Sequence, residues 1–283
     1  MNPELSEDPA RLQRTRQISR VLGRLQGSSL GAALVRLART TPGLGSRLAK
    51  EVGFRGAFTS ADAARAAAAG IARLDQDHPG NVDLHLQLSI KPRPSDAAAI
   101  AQLGFLADAP QILVDLGGNV GNLYYLYREA IALHPDTRWL VHDLPGICAA
   151  GARIATERGA SRLGFDPDMK VIARADVLLA SGVLQYFEDL LPDLLRRHDA
   201  RPKHVIVNRT PLSASSRTYT VQDGGAFFAL CVLHPRSELL AGMAKLGYRL
   251  AAEWPAPDLR LDVPLWPELS APAYSGFAWT CAP

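Results

Sequence analysis

The chain is poor in the features that mark secreted, membrane-bound and metal-binding proteins. It holds three cysteines in 283 residues. Cys148, Cys231 and Cys281 are odd in number and far apart, so neither a disulfide framework nor a metal-ligand spacing follows. The expectation is no metal and a reducing compartment, the cytoplasm. No stretch approaches the roughly 18 uninterrupted apolar residues of a membrane span. The opening MNPELSEDPARLQRTRQ has no apolar run of the kind a signal peptide carries. A dominant charge is missing too: 31 Lys and Arg stand against 28 Asp and Glu, a net +3, too little to point to nucleic acid. There is no internal repeat. What remains is an ordinary globular composition, 47% hydrophobic and 21% charged, in a chain long enough for one large core plus a small appendage. The partner expected is a small-molecule substrate, with no nucleic acid and no membrane.

Two patterns divide the chain near residue 106. Residues 1–106 carry helical periodicity and almost no strand signal. Ile18, Val21, Leu22 and Leu25 fall on one helical face, with Arg14, Arg16, Arg20 and Arg24 largely off it. The arginines suit a solvated face, or an anionic membrane or partner. ADAARAAAAGIARL reads as helix on propensity, TTPGLG and HPG as breaks. Ser95 is placed to cap a further helix. From Gln111 onward, short apolar runs alternate with helical segments such as NLYYLYREAIAL and LPDLLRRH. The runs are ILVDL, RWLVHD, RLGF, ADVLLAS, HVIVNRT, GYRLAAEW and one in YSGFAWTC. Such alternation predicts an α/β fold, a doubly wound, mostly parallel sheet with helices on both faces. Ligands of these sheets bind at the carboxyl ends of the strands, which directs attention to the first βα turn.

That turn reads Asp115-Leu116-Gly117-Gly118-Asn119-Val120-Gly121. The glycines admit a ligand close to the backbone. Their spacing differs from the dinucleotide fingerprint G-x-G-x-x-G, and the leading acid would repel a pyrophosphate. An acid there suits a ligand with an amino group and a sulfonium.

Asp115-x-Gly117-x-Asn119-x-Gly121 resembles the first motif of class I S-adenosylmethionine (SAM) methyltransferases, with Asn119 where the family prefers glycine. Asn tolerates a left-handed backbone, and its amide could reach the methionyl end of SAM. Asp143, at the end of RWLVHD, matches the acid that holds the ribose hydroxyls in that family. HDLP is similar to small-molecule O-methyltransferases. FRGAF, LASGVLQYFED, NRTPLS and TVQDGG resemble a bacterial methyltransferase family over roughly residues 54–280. The resemblance implies a Rossmann-like, seven-stranded catalytic domain over 107–283. SAM is the implied cofactor or substrate, held by Asp115, Gly117, Gly118, Asn119, Gly121, Asp143, Leu144 and Ser181. Residues 1–106 are then expected to form a helical lid or homodimer contact.

In this family the loop after the fourth strand faces the reacting end of SAM. Gln185 stands about where the plant-type O-methyltransferases carry a basic histidine, and an amide cannot take a proton. His142 is a substitute, or a strand-end histidine packed under a helix; strand alternation turns it away from the face of Asp143. Asp176, at the start of its strand, reads as structural. Arg209 could fork a carboxylate or pair with a neighbouring loop. Tyr124, Tyr125 and Tyr127 open the first helix, either as core or as a wall for a sulfonium. The chain also looks broadly like the bacterial azetidine-2-carboxylate synthases, which cyclise SAM and release methylthioadenosine. On this reading Tyr186, Asn122, Gln185 and Tyr124 are the catalytic candidates. Cyclisation of this kind, in specialised metabolism, is the expected reaction, and O-, N- or carboxyl methylation of a small-molecule acceptor is the alternative.

Overall fold

The computed structural model describes residues 54–69, 92–109, 111–223, 228–261, 266–271 and 273–281, with 28, 30, 31, 33, 34, 37 and 263 besides. The amphipathic stretch from Ile18 to Leu25, its arginines and the breaks TTPGLG and HPG lie outside the described residues. In chain order the elements begin with β1 (Phe54–Phe58), α1 (Ala61–Ala69) and α2 (Asp96–Gly104). Next come β2 (Ile112–Leu116), α3 (Asn122–Tyr127), β3 (Arg138–His142), α4 (Pro145–Glu157) and β4 (Leu163–Phe165). Then follow β5 (Val177–Ser181), α5 (Leu191–Arg197), β6 (His204–Thr210), β7 (Leu212–Ser213), β8 (Thr218–Asp223) and β9 (Phe228–Pro235). The last are α6 (Arg236–Lys245), β10 (Tyr248–Ala256) and β11 (Tyr274–Cys281).

These elements fall into two compact units. The larger draws on residues 77–212, 236–259 and 273–283. Its seven-stranded sheet has the order β10-β11-β6-β5-β2-β3-β4. β2 to β6 run parallel, while β11 lies antiparallel between β6 and β10. This is the strand order of the class I methyltransferase fold, and all seven apolar runs of the sequence supply its strands. The central strands are apolar on both sides because both faces are covered. One face carries Val114, Leu116, Leu178, Ala180, Val205 and Val207, against Leu191 and Leu195 of α5 and Met243 of α6. The other carries Leu113, Val177, Leu179 and Ile206, against Leu103 of α2 and Tyr124 and Tyr127 of α3. At the opposite end of the sheet, Asp176 accepts from the N–H of Ile112 at 3.0 Å and pairs with Lys203 at 3.2 Å, the structural role expected of it.

The smaller unit draws on residues 1–76, 213–235 and 260–272. It carries a four-stranded sheet of order β1-β8-β9-β7, with no counterpart among the expected elements. β1 corrects the reading of residues 1–106 as nearly strand-free. FRGAF is five residues long and pairs with β8, Phe54 opposite Gln222, so its partner among the described strands is remote in sequence. α1 is the alanine-rich helix expected from propensity.

Two further expectations need correction. NLYYLYREAIAL is helical only to Tyr127, because the Tyr127 carbonyl accepts from both Ala130 and Ile131 and closes a turn. Ser95 does sit at the start of α2, but its hydroxyl makes no cap bond. It donates to Asp258 Oδ2 at 3.0 Å instead.

Candidate functional site

The loop between β2 and α3 is shaped by contacts that only small or left-handed residues satisfy. Gly117 has φ 68°, and a Cβ there would overlap the Val183 side chain. A Cβ on Gly118 would stand 2.5 Å from Asp115 Oδ2. Asn119 has φ 55° and Gly121 φ 86°, so Asn119 takes the left-handed backbone that its residue type tolerates. Its amide oxygen does not extend outward; it accepts from the N–H of Val120 at 2.8 Å and braces the loop.

Asp143 follows the last residue of β3 and faces this loop. Oδ2 accepts from the N–H of Asn119 and Oδ1 from the N–H of Leu144, both at 2.8 Å. A carboxylate accepts through both oxygens, a chemistry that fits a vicinal diol. Leu144 is 39% exposed and precedes Pro145 at the start of α4. His142 points to the other side, its Nδ1 3.1 Å from the carbonyl of Asp166. It is occupied there, in keeping with the packing alternative. Asp166 and Asp168, in the loop after β4, brace their own turn through the N–H groups of Asp168 and Lys170. Sequence reading passed over this pair, although a strand-end acid beside β3 was the available signal.

Asp115 lies beneath the loop, 1% exposed. Oδ2 accepts from Trp139 Nε1 at 3.2 Å, while Oδ1 meets no donor among the described residues. Burial pushes its carboxyl up to about 7; Asp143 adds to the rise, while the Trp139 bond and Arg209 oppose it. An orphaned, buried carboxylate oxygen suits an ammonium group.

Around Asp115 lies a polar layer that the sequence did not disclose. Asp96, 1% exposed, accepts from Tyr127 Oη at 2.7 Å and from the N–H of Arg93, and pairs with Arg209 at 3.2 Å. Arg209 Nε also donates to Ser181 Oγ at 3.1 Å. Of the two alternatives for Arg209, the structure places it in an ion pair, and its φ of 54° turns the side chain out of the strand's regular alternation. Asn208 bridges Trp254 Nε1 and the carbonyl of Ser95.

The tyrosine candidates divide. Tyr124 is a correction: it is 4% exposed, with its ring edge-on to Trp139 in the core. Tyr127 is fully buried, and burial, then Asp96, holds its phenol well above the usual range. These two rings fill the interior, while Tyr125 is partly exposed and its ring meets the Arg128 and Arg158 guanidiniums at 5.2 and 4.7 Å. Asn122 opens α3 beside Gly121. Tyr186 is 36% exposed on the turn after β5, and Gln185 on the same turn is 6% exposed.

No family model matches the chain, and no curated protein matches it in sequence. Among solved structures, similarity is found to 1,6-didemethyltoxoflavin-N1-methyltransferase of Burkholderia thailandensis with bound 1,6-didemethyltoxoflavin and S-adenosylhomocysteine. Identity is 17%, over 75% of this chain and 93% of that one, with a TM-score of 0.47. An S-adenosylmethionine-dependent methyltransferase of Mesorhizobium loti is 16% identical over 66% of this chain and 97% of that one, with a TM-score of 0.45. Magnesium protoporphyrin IX methyltransferase of Synechocystis is 14% identical over 65% and 80%, with a TM-score of 0.44. At this distance, the strand order and the loop of the chain itself carry the reading. Among the described residues no cluster of His, Cys, Asp and Glu could hold a metal, and no helix is long and apolar enough to cross a membrane.

Proposed function

We propose that the protein is a SAM-dependent methyltransferase acting on a small-molecule acceptor. One observation carries the reading: two strand-end acids flank a glycine turn at the carboxyl edge of a class I sheet. The Asp143 carboxylate, at the edge of the turn, suits two ribose hydroxyls, and Asp115 has a buried oxygen for the methionyl ammonium. The groups present fit SAM, which would supply a methyl group on a sulfonium. Gly117, Gly118 and Gly121 let the loop backbone approach it. The turn of Gln185 and Tyr186 stands where an acceptor would enter.

Cyclisation of SAM to azetidine-2-carboxylate is the second reading, supported by an amide, Gln185, in place of a base. Tyr124 and Tyr127, expected at the rim for this reading, are core residues. Incubation with SAM, alone and with acceptor pools, separates the two. S-adenosylhomocysteine formed only with acceptor supports methyl transfer. Methylthioadenosine formed from SAM alone supports cyclisation. In Asp143→Ala, loss of the diol acceptors is expected to weaken SAM binding by about 1–3 kcal/mol; unchanged affinity by calorimetry would refute the SAM site.

A further inference from the structure

Gln185 sits in the short turn Leu184–Tyr186 directly after β5, 6% exposed. Its Nε2 donates to the carbonyl of Gly182 at 2.7 Å. A carbonyl only accepts, so the end of the amide facing Gly182 must be the NH2 end. The orientation of the side chain is thereby fixed, and the end left over is the oxygen. That Oε1 is buried and meets no donor among the described residues. A buried acceptor without a donor is penalised, so the position calls for an N–H or O–H from a ligand.

The fold places this acceptor at the far end of the ligand track. Asp143 follows β3, the Gly117 loop follows β2, and Gln185 follows β5; the sheet order is β5-β2-β3. The Val183 side chain fills the space where a Cβ on Gly117 would lie, so the Gln185 turn abuts the loop on the β5 side. A nucleoside held at Asp143, on the β3 side, and extended across the loop would run toward the β5 side, where Gln185 stands.

We infer that the nucleophile at this site is a neutral amine nitrogen whose N–H is bound by Gln185 Oε1; this rests on the SAM reading above. A hydroxyl must lose its proton as it attacks, and an amide oxygen cannot take it. A neutral amine attacks with its lone pair and keeps its protons. In methyl transfer the N–C bond forms from that lone pair as the S–CH3 bond breaks, and the bonding pair returns to sulfur. Positive charge moves from sulfur to nitrogen, and the ammonium product later gives a proton to water. The growing charge strengthens the N–H···O=C bond to Gln185, which therefore favours the transition state over the ground state. The amine has two sources: an added acceptor, with the SAM ammonium left at Asp115, or the amino group of SAM itself, which then loses its proton and turns from Asp115 to Gln185. In the second case the N–Cγ bond forms as the Cγ–S bond breaks, giving neutral methylthioadenosine and a protonated four-membered ring.

The test combines product analysis with calorimetry on the full chain. Wild type is incubated with SAM alone, with alkyl and aryl amines, and with phenols and carboxylic acids. Consumption of SAM is expected with amines, giving S-adenosylhomocysteine, or alone, giving methylthioadenosine. Gln185→Met should lower kcat roughly ten- to a hundredfold. With an acceptor amine as the source, its SAM Kd stays unchanged; with SAM's own amine as the source, its Kd weakens. Gln185→Glu keeps an acceptor but holds the amine protonated, so the rising limb of its pH–rate profile should move to higher pH, which a merely structural side chain would not cause. Phenols or carboxylic acids turned over as well as amines, no turnover in any mixture, or a Gln185→Met enzyme equal to wild type would overturn the inference. A wild-type protein that binds no SAM would remove the cofactor reading and the inference with it.

Discussion

Replacing Asp115 with Asn tests the electrostatics of the loop without any ligand. The side chain is 1% exposed, and burial raises its carboxyl from 3.8 to about 7. The folded protein therefore keeps this proton across a range in which the unfolded chain has lost it. Unfolding then releases a proton, and stability falls as pH rises. The stabilising contribution is complete below about pH 4 and is lost as pH climbs to about 7. A shift of roughly three pK units corresponds to about 4 kcal/mol. Asn keeps the shape and an acceptor for Trp139 Nε1 but does not ionise. Asp115→Asn should therefore match wild type near pH 4 and exceed it by a few kcal/mol at pH 8. Urea unfolding at half-unit intervals between pH 4.5 and 8.5 reads the difference directly. Titrations common to both proteins cancel, so the difference should grow by about 1.4 kcal/mol per pH unit up to neutrality and then level off. A difference that stays flat across this range would show that the ionised carboxylate is stabilised by something other than its present neighbours, and the argument would fail.

Two further outcomes follow from the same geometry. Gly117→Ala should lower the urea midpoint, since a Cβ there overlaps Val183 and the backbone has φ 68°. Pairing it with Val183→Ala should recover the steric part and leave about 1–2 kcal/mol of left-handed strain, whereas full recovery would deny any strain. Arg209→Met strips the cation from Asp96, which is 1% exposed, and should destabilise by about 3–5 kcal/mol. Adding Asp96→Asn should restore most of that loss, and a double variant no better than the single one would contradict the pairing.

What was legible in the sequence is what local pattern encodes. Strands such as VLLAS and HVIVNRT are apolar runs because helices cover both sides of the sheet, and their boundaries were visible. Asp115 and Asp143 stood out because each ends such a run. The polar layer was illegible for a different reason. Asp96, Tyr127, Ser181 and Asp258 lie in separate parts of the chain, away from one another and from Asn208 and Arg209 of β6, and nothing within any one of these segments names its partner. Tyr124 shows the same limit. Its place on the first helix is legible, but the choice between core and pocket depends on Trp139, which lies across on β3. β1 was missed because a five-residue strand paired with a distant β8 leaves almost no periodic trace.

The bonds that anchor α2 also bear on the order in which the protein is made. Ser95 gives its N–H and hydroxyl to Asp258, 163 residues later in the chain, and its carbonyl accepts from Asn208, 113 residues later. During synthesis α2 leaves the ribosome long before either partner exists. Closing loops of this length is entropically unfavourable until the sheet has brought their ends together. The start of α2, with Asp96 and its hold on Arg209, therefore docks late. β2 to β5 and the glycine turn can assemble earlier, from chain already released. A nascent protein thus acquires the glycine turn well before the framework around Arg209 is locked.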